Sequence, residues 1–451
     1  MKRGNEEVKN ILHKDIFYLS KLIKSKQLSP YELTKELLKE IYDKNTNYNA
    51  YITIREEEAL NEAKIAEESI MKGDYAGPLH GIPLSIKDNI HVKDTNLTNG
   101  AIINKSFQSC QDALIVNQLR ANKSIIVGKT NMDEYANNIS GINKQYGIIK
   151  NPVVRDVMAG GSSGGSAASV AANLAFASIG TDTAGSVRIP ASCCGLFGLK
   201  PTFNIIPTVG IDPLSWTLDH VGFITKSIED LNIMYHSYVP GQVVSAEPNK
   251  QSLNKIKIGV FSNVSSDIDN DAEVKNIYDY YIQKLSNQGI HIKKLDGSFL
   301  NNFMEAHLAI SSSEAYYFHQ QQLQNNPQLY DPANYDYFSK GAMVTHKEYN
   351  EALQFRIFIN EKFKHIFEEV DCILTPTLPM LPLNINEIQN GWEDTLRKVI
   401  KYTSPFNMCG LPALTIPYEK DSKGAPIGMQ LISDHYNESY LINLAHSIMD
   451  I

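Results

Sequence analysis

The stretch Ala159-Gly160-Gly161-Ser162-Ser163-Gly164-Gly165-Ser166-Ala167-Ala168, followed by Gly180-Thr181-Asp182-Thr183-Ala184-Gly185-Ser186-Val187-Arg188-Ile189-Pro190, decides how this chain is read. Residues 167–179 between the two are apolar and Ala-rich, too short for a membrane span and interrupted by Ser169 and Asn173. They read as a buried helix leading to a strand. Glycine admits left-handed and crowded backbone that other residues avoid. Two Gly-flanked turns presenting hydroxyls and free amides describe a site where a nucleophile and an anion are both held by backbone.

Outward from this point, helix-like and strand-like runs alternate. Residues 15–72 read as helical: Ser29-Pro30-Tyr31-Glu32-Leu33 is a helix start with Ser29 as cap and Pro30 in the first turn. Leu33, Leu37, Leu38 and Ile41 follow at helical spacing, and residues 59–71 form a second run ended by Gly73. Short apolar runs at 82–86, 124–128, 256–261, 290–292, 372–374, 413–416 and 428–432 read as strands, with a helical stretch at 113–121. This alternation predicts an α/β fold with a covered sheet. Residues 300–370 are polar, rich in Tyr and Gln and helical in pattern, broken at Asn325-Asn326-Pro327 and Tyr330-Asp331-Pro332. They form either a helical layer on the sheet or a lid over the site.

With 451 residues, 43% of them hydrophobic, the chain can build a large core as one α/β unit or two packed lobes. A net charge of −8 argues against a broad nucleic-acid footprint. The cysteines Cys110, Cys193, Cys194, Cys372 and Cys409 are odd in number and form no CxxC pair, which indicates a reducing, cytoplasmic compartment and no zinc site. The start, Met1-Lys2-Arg3-Gly4-Asn5-Glu6-Glu7, is charged and lacks the apolar stretch of a signal peptide. No segment reads as membrane-spanning, and the twelve histidines show no metal-ligand spacing.

Lys87 directly follows an apolar run. It is either a solvated lysine at a strand end or an inward-pointing one, whose desolvation would lower its pKa and make it a general base. Ser162, Ser163, Ser166 and Ser186 compete as nucleophiles, and each would need an adjacent base. Thr183, Ala184, Gly185 and Ser186 can form a turn whose amides converge as an oxyanion hole, or simply a tight packed loop. Gly161-Ser162-Ser163-Gly164-Gly165 matches the G-x-S-x-G elbow with Ser163 as nucleophile, but residues 155–159 make a poor preceding strand. No P-loop ending follows the glycines. The acidic run Asp267-Ile268-Asp269-Asn270-Asp271 lacks the glycine and the glutamate of a calcium loop and reads as a helix start.

Taken together, Gly81-Ile82-Pro83-Leu84-Ser85-Ile86-Lys87-Asp88-Asn89 and the two serine turns resemble the amidase signature family. So do Gly128-Lys129-Thr130-Asn131-Met132-Asp133-Glu134-Tyr135, Cys194-Gly195-Leu196-Phe197-Gly198-Leu199-Lys200-Pro201-Thr202 and Leu218-Asp219-His220-Val221-Gly222. The resemblance is strong over residues 75–230 and continues more faintly in residues 371–377 and 404–413. It implies a three-layer α/β/α fold around a large mixed, twisted sheet, one amidase domain spanning 1–451 with its signature core at 75–230 and a helical, substrate-shaping region at 300–400. It implies a Ser–cis-Ser–Lys unit: Ser186 as nucleophile, Ser162 as the bridging serine behind a cis peptide, and Lys87 as base, with the amides of 183–186 as oxyanion hole. Ser163, Asp182 and Arg188 take supporting roles, Arg188 by pairing near Asp182. No metal or organic cofactor is implied, and the substrate is a small-molecule amide rather than nucleic acid or membrane. Ala184, Phe223 and Lys226 depart from the commonest pattern, and none of them removes a catalytic group.

Within the family, one branch works with partner subunits as the glutaminase component of the tRNA-dependent glutamine amidotransferase, its A subunit. The glutamine-binding region of that branch carries an Asn-Leu-Ala-Arg-Tyr-Asp-Gly-like run. Here Ser313-Glu314-Ala315 is followed instead by Tyr316-Tyr317-Phe318-His319-Gln320. The run Asn138-Ile139-Ser140-Gly141-Ile142-Asn143 also resembles stand-alone amidases. The expectation is therefore a stand-alone hydrolase, monomer or homodimer, with Asn138, Ile139, Ser140 and Trp216 as substrate-binding candidates; the alternatives are that A subunit and a catalytically silent binding member of the fold.

Overall fold

The computed structural model describes residues 11–239, 248–262, 264, 270–388, 392–449 and 451. The charged N-terminal stretch 1–7 and Asp267, Ile268 and Asp269 of the acidic run lie outside the described residues.

Thirteen strands are described: β1 (Tyr51–Ile54), β2 (Pro83–Lys87), β3 (Ile125–Thr130), β4 (Ile142–Asn143), β5 (Gly147–Ile148), β6 (Ala177–Asp182), β7 (Phe197–Lys200), β8 (His220–Thr225), β9 (Lys257–Phe261), β10 (His291–Leu295), β11 (Cys372–Pro376), β12 (Ala413–Lys420) and β13 (Pro426–Ile432). β4 and β5 make a small hairpin, and the others form one eleven-stranded sheet in the order β1-β3-β2-β6-β8-β7-β12-β13-β11-β9-β10. β3, β2 and β6 are mutually parallel, as are β11, β9 and β10, while the strands between them pair antiparallel. The sheet is thus mixed, as expected.

β2, β3, β6, β7, β8, β11 and β13 are buried at every position. A strand buried at every residue has both faces covered. Helix Glu56–Met71 packs on β3, Gly164–Ala171 on β2 and β6, Arg188–Cys193 on β7, β12 and β13, and Ile228–His236 on β8.

The helix start at Ser29 forms as its sequence dictates: the Ser29 hydroxyl accepts from the Glu32 amide and Pro30 opens the helix Pro30–Tyr48. The uniformly helical reading of residues 15–72 needs correction, because β1 interrupts it. Tyr51-Ile52-Thr53-Ile54 is a β-branched and aromatic run that pairs antiparallel with β3, Ile54 opposite Gly128. Residues 300–370 are helical as read: Phe303–Asn325, Pro332–Gly341 and His346–Phe367, with the breaks at the two Pro-containing runs.

Candidate active site

Lys87 is the last residue of β2, and Thr181 and Asp182 are the last two of β6. Parallel pairing of these strands, Ile86 opposite Ile179, brings the three to the carboxyl ends of neighbouring strands, where open α/β sheets carry their sites. Lys87 points inward and is fully buried. Its Nζ donates to Ser162 Oγ at 2.8 Å and to Thr181 Oγ1 at 2.8 Å. Burial pushes the ammonium pKa down to about 7, against the opposing pull of Asp133, Asp219 and Asp182. The inward reading of Lys87 is the one the fold adopts.

Ser162 comes from the glycine turn that opens the helix Gly164–Ala171, and the Gly161–Ser162 peptide is cis. A Cβ on Gly161 would sit 1.8 Å from Asp133 Oδ2, so only glycine leaves room for this turn. Asp133 accepts from the Gly141 amide at 3.1 Å and from the Ser140 hydroxyl at 3.2 Å, and burial raises its carboxyl to about 7. The two serine turns are joined through Ser163. Its amide donates to the Ser186 carbonyl at 3.1 Å, and its hydroxyl donates to the Thr181 carbonyl at 3.1 Å. Among the described residues no hydrogen bond joins the Ser162 and Ser186 hydroxyls; catalytic contacts are often long before substrate binds. Residues 155–159 form no strand, so the elbow geometry for Ser163 is absent.

The Ser186 turn is organised by Asp182. Its carboxylate accepts from the Gly185 amide at 2.7 Å, the Val187 amide at 3.1 Å, Arg188 Nε at 3.0 Å and Nη2 at 2.9 Å, and Asn407 Nδ2 at 2.9 Å. Burial alone would raise this carboxyl, but Arg188 and these donors more than offset it and hold it well below the usual range. The bond to Asp182 narrows the expected set of oxyanion amides from four to three. Gly185 is engaged, while the amides of Thr183, Ala184 and Ser186 have no protein acceptor among the described residues.

Arg188 is fully buried, and its guanidinium also donates to the Thr403 carbonyl at 3.0 Å, to Gln430 at 2.6 Å and to Asn407 at 2.6 Å. All five of its N–H groups are thereby engaged within the protein, leaving none for a substrate carboxylate.

Of the substrate-binding candidates, Ile139 lies in the main hydrophobic core and Ser140 is spent on Asp133. Asn138 is half-buried and its side chain accepts from the Ile139 amide. Trp216 is exposed and meets Tyr317 edge-on at 5.6 Å; both rings line a cavity of about 270 Å³. Contributors to the site that escaped the sequence reading as individual residues include Thr181, which shares Lys87 with Ser162; Asn89, whose Nδ2 donates to Thr181 Oγ1 at 3.2 Å; and Asn407. All three lie in the quoted motifs, but nothing in their residue type distinguishes them there.

A sequence model of the amidase family matches residues 32–442. A glutamyl-tRNA(Gln) amidotransferase A subunit of Clostridium acetobutylicum is 31% identical, over 97% of this chain and 99% of its own. A solved structure described as an amidase superposes with a TM-score of 0.88 at 27% identity, covering 97% of this chain and 99% of the other. The glutamyl-tRNA(Gln) amidotransferase A subunit from Thermotoga maritima superposes with a TM-score of 0.82 at 25% identity, covering 97% and 94%. With a match across nearly its whole length and a fold shared with solved members, the chain belongs to the amidase family.

Proposed function

We propose that this protein is a stand-alone amidohydrolase that cleaves a small carboxylic amide to an acid plus ammonia or an amine through an acyl-Ser186 intermediate. The observation that carries the reading is the buried 2.8 Å contact of Lys87 Nζ with Ser162 Oγ, beside the Ser186 turn. Ser186 attacks the amide carbonyl, and its proton passes through the Ser162 hydroxyl to neutral Lys87. The amides of Thr183, Ala184 and Ser186 hold the oxyanion, one such donor contributing about 2.7–4 kcal/mol in the transition state. The Lys87 ammonium returns a proton to the leaving amine, and water then releases the acid.

A second reading, the glutaminase component of the tRNA-dependent amidotransferase, draws support from the curated relatives. Against it stands the helix Phe303–Asn325, which carries no Lys or Arg where the glutamine-binding run of that A-subunit branch includes an arginine. His319 in that segment is buried, which lowers its pKa to about 3 and leaves it neutral. A segment without cationic side chains is poorly suited to the α-carboxylate of glutamine.

A panel of glutamine and of aliphatic, aryl and peptide amides tests the choice. The stand-alone reading expects the purified chain alone to hydrolyse a carboxylate-free amide faster than glutamine. Robust glutaminase activity, or co-purification with partner subunits, would reverse it.

A further inference from the structure

Glu314 lies in the helix Phe303–Asn325 and is 2% exposed. Four donors converge on its carboxylate: the Ser215 hydroxyl at 2.6 Å, the Thr217 amide at 3.1 Å, the Thr217 hydroxyl at 2.8 Å and the Tyr349 hydroxyl at 2.9 Å. None of these donors is charged. Burying a carboxylate on neutral donors is costly, and its gain is directional: it fixes whatever supplies the donors. Three of the four come from one loop, residues 215–217.

That loop also reaches the serine turn. The Leu214 and Ser215 amides donate to Asp219 Oδ2 at 3.0 and 3.1 Å, and Asp219 Oδ1 accepts from the Thr183 hydroxyl at 2.6 Å. Glu314, Ser215, Asp219 and Thr183 are each buried. A continuous set of hydrogen bonds thus runs from the helical layer to Thr183, the first residue of the 183–186 turn.

We propose that Glu314 is a positioning residue, the anchor by which the helices of 300–370 hold Thr183 and the oxyanion amides in register. This rests on the reading of Ser186 as nucleophile and of its turn as oxyanion hole. Hydrogen-bond donors stabilise a developing oxyanion only within a few tenths of an ångström of their best distance. Loosening the anchor therefore slows the chemical step, and for an alkyl ligand that does not use the Trp216 ring it leaves ground-state binding nearly unchanged.

The test uses an alkyl fluorophosphonate, so no natural substrate is needed. Ser186 Oγ forms the P–O bond, fluoride leaves, and the hydroxyl proton goes to Lys87. Saturation kinetics separate the binding constant KI from the chemical rate kinact. In Glu314→Ala, kinact falls tenfold or more while KI stays within threefold, on protein shown to be folded by its thermal transition. A kinact within twofold of wild type overturns the proposal. Should Glu314→Ala not fold, Ser215→Ala removes a single donor; a threefold or larger fall in kinact supports the proposal and an unchanged value overturns it. Ser186→Ala in parallel separates the two failures. Labelling that persists there removes Ser186 as nucleophile, whereas its loss there beside an unchanged Glu314→Ala removes only the anchor.

Discussion

Around Lys87 every side chain is enclosed: Lys87, Ser162, Thr181, Asp182 and Arg188 are all buried. In the helices Phe303–Asn325 and His346–Phe367 and the turn before the latter, large apolar side chains stand in solvent instead, with Tyr317 69%, Ile357 65% and Met343 71% exposed. The first region is built from strand ends and glycine turns, where fixed backbone sets the distances. The second is built from helices that pack mainly on one another and carry exposed rings on their outer faces. The difference teaches a division of labour. On the proposed reading the strand-end region fixes the reaction, and the helical region bears on it through what it touches: the 215–217 loop held at Glu314, and Glu134 and Tyr135 next to Asp133.

Lys87→Met breaks this division most severely. It removes the proposed base, and a general base contributes roughly 10²–10⁴-fold in rate. Steady-state rates or fluorophosphonate labelling on folded enzyme will check the loss. The same variant should be more stable. Wild-type Lys87 has its pKa lowered from 10.5 to about 7, so the unfolded chain binds more protons between those values. The penalty is therefore present at pH 7 and relieved as pH rises toward 10.5. Methionine carries no such penalty, about 4–5 kcal/mol at pH 7. It leaves the Ser162 and Thr181 hydroxyls without their donor, at about 1–1.5 kcal/mol each. A net gain of roughly 2 kcal/mol in the denaturant-derived stability at pH 7 is therefore expected.

Acidification is the next largest effect. Protonating Lys87 removes the neutral base, so kcat/KM should fall about tenfold per pH unit below pH 7. A rate flat down to pH 5 would show that no neutral lysine takes part. Smallest is Trp216→Ala, which strips one exposed ring from the cavity beside Tyr317. It should raise KM for aryl amides about 2- to 10-fold, in line with roughly 0.5–1.5 kcal/mol for an aromatic contact, and leave small aliphatic amides nearly unaffected. An equal effect on both classes would place the substrate elsewhere.

The sequence was most legible where chemistry and backbone coincide. The glycine turns could be read from residue types and their neighbours. Lys87, on its residues alone, stays open between a solvated and an inward lysine, and its role and the pairing of Arg188 with Asp182 come from the family resemblance. β1 was not, because four residues between two long helices carry too little pattern, and it is pairing with β3 that makes them a strand. β7 and β8 were quoted as motifs without being read as strands. Their glycines blur the alternation, yet Gly222 is there because a Cβ would lie 2.5 Å from the Leu199 carbonyl. The engagement of the Gly185 amide by Asp182 depends on side-chain geometry that composition does not encode. Partners distant in sequence, such as Asn407 on Asp182 or Glu314 on Ser215, become visible only in the folded chain.

Ser186, and not Ser162 or Ser163, is the side chain proposed to become covalently acylated. Intact-mass and peptide mapping after fluorophosphonate treatment test it most directly. The account predicts one adduct, located on Ser186 in the wild type and absent from folded Ser186→Ala. An adduct on Ser163, or an undiminished adduct in Ser186→Ala, would contradict it.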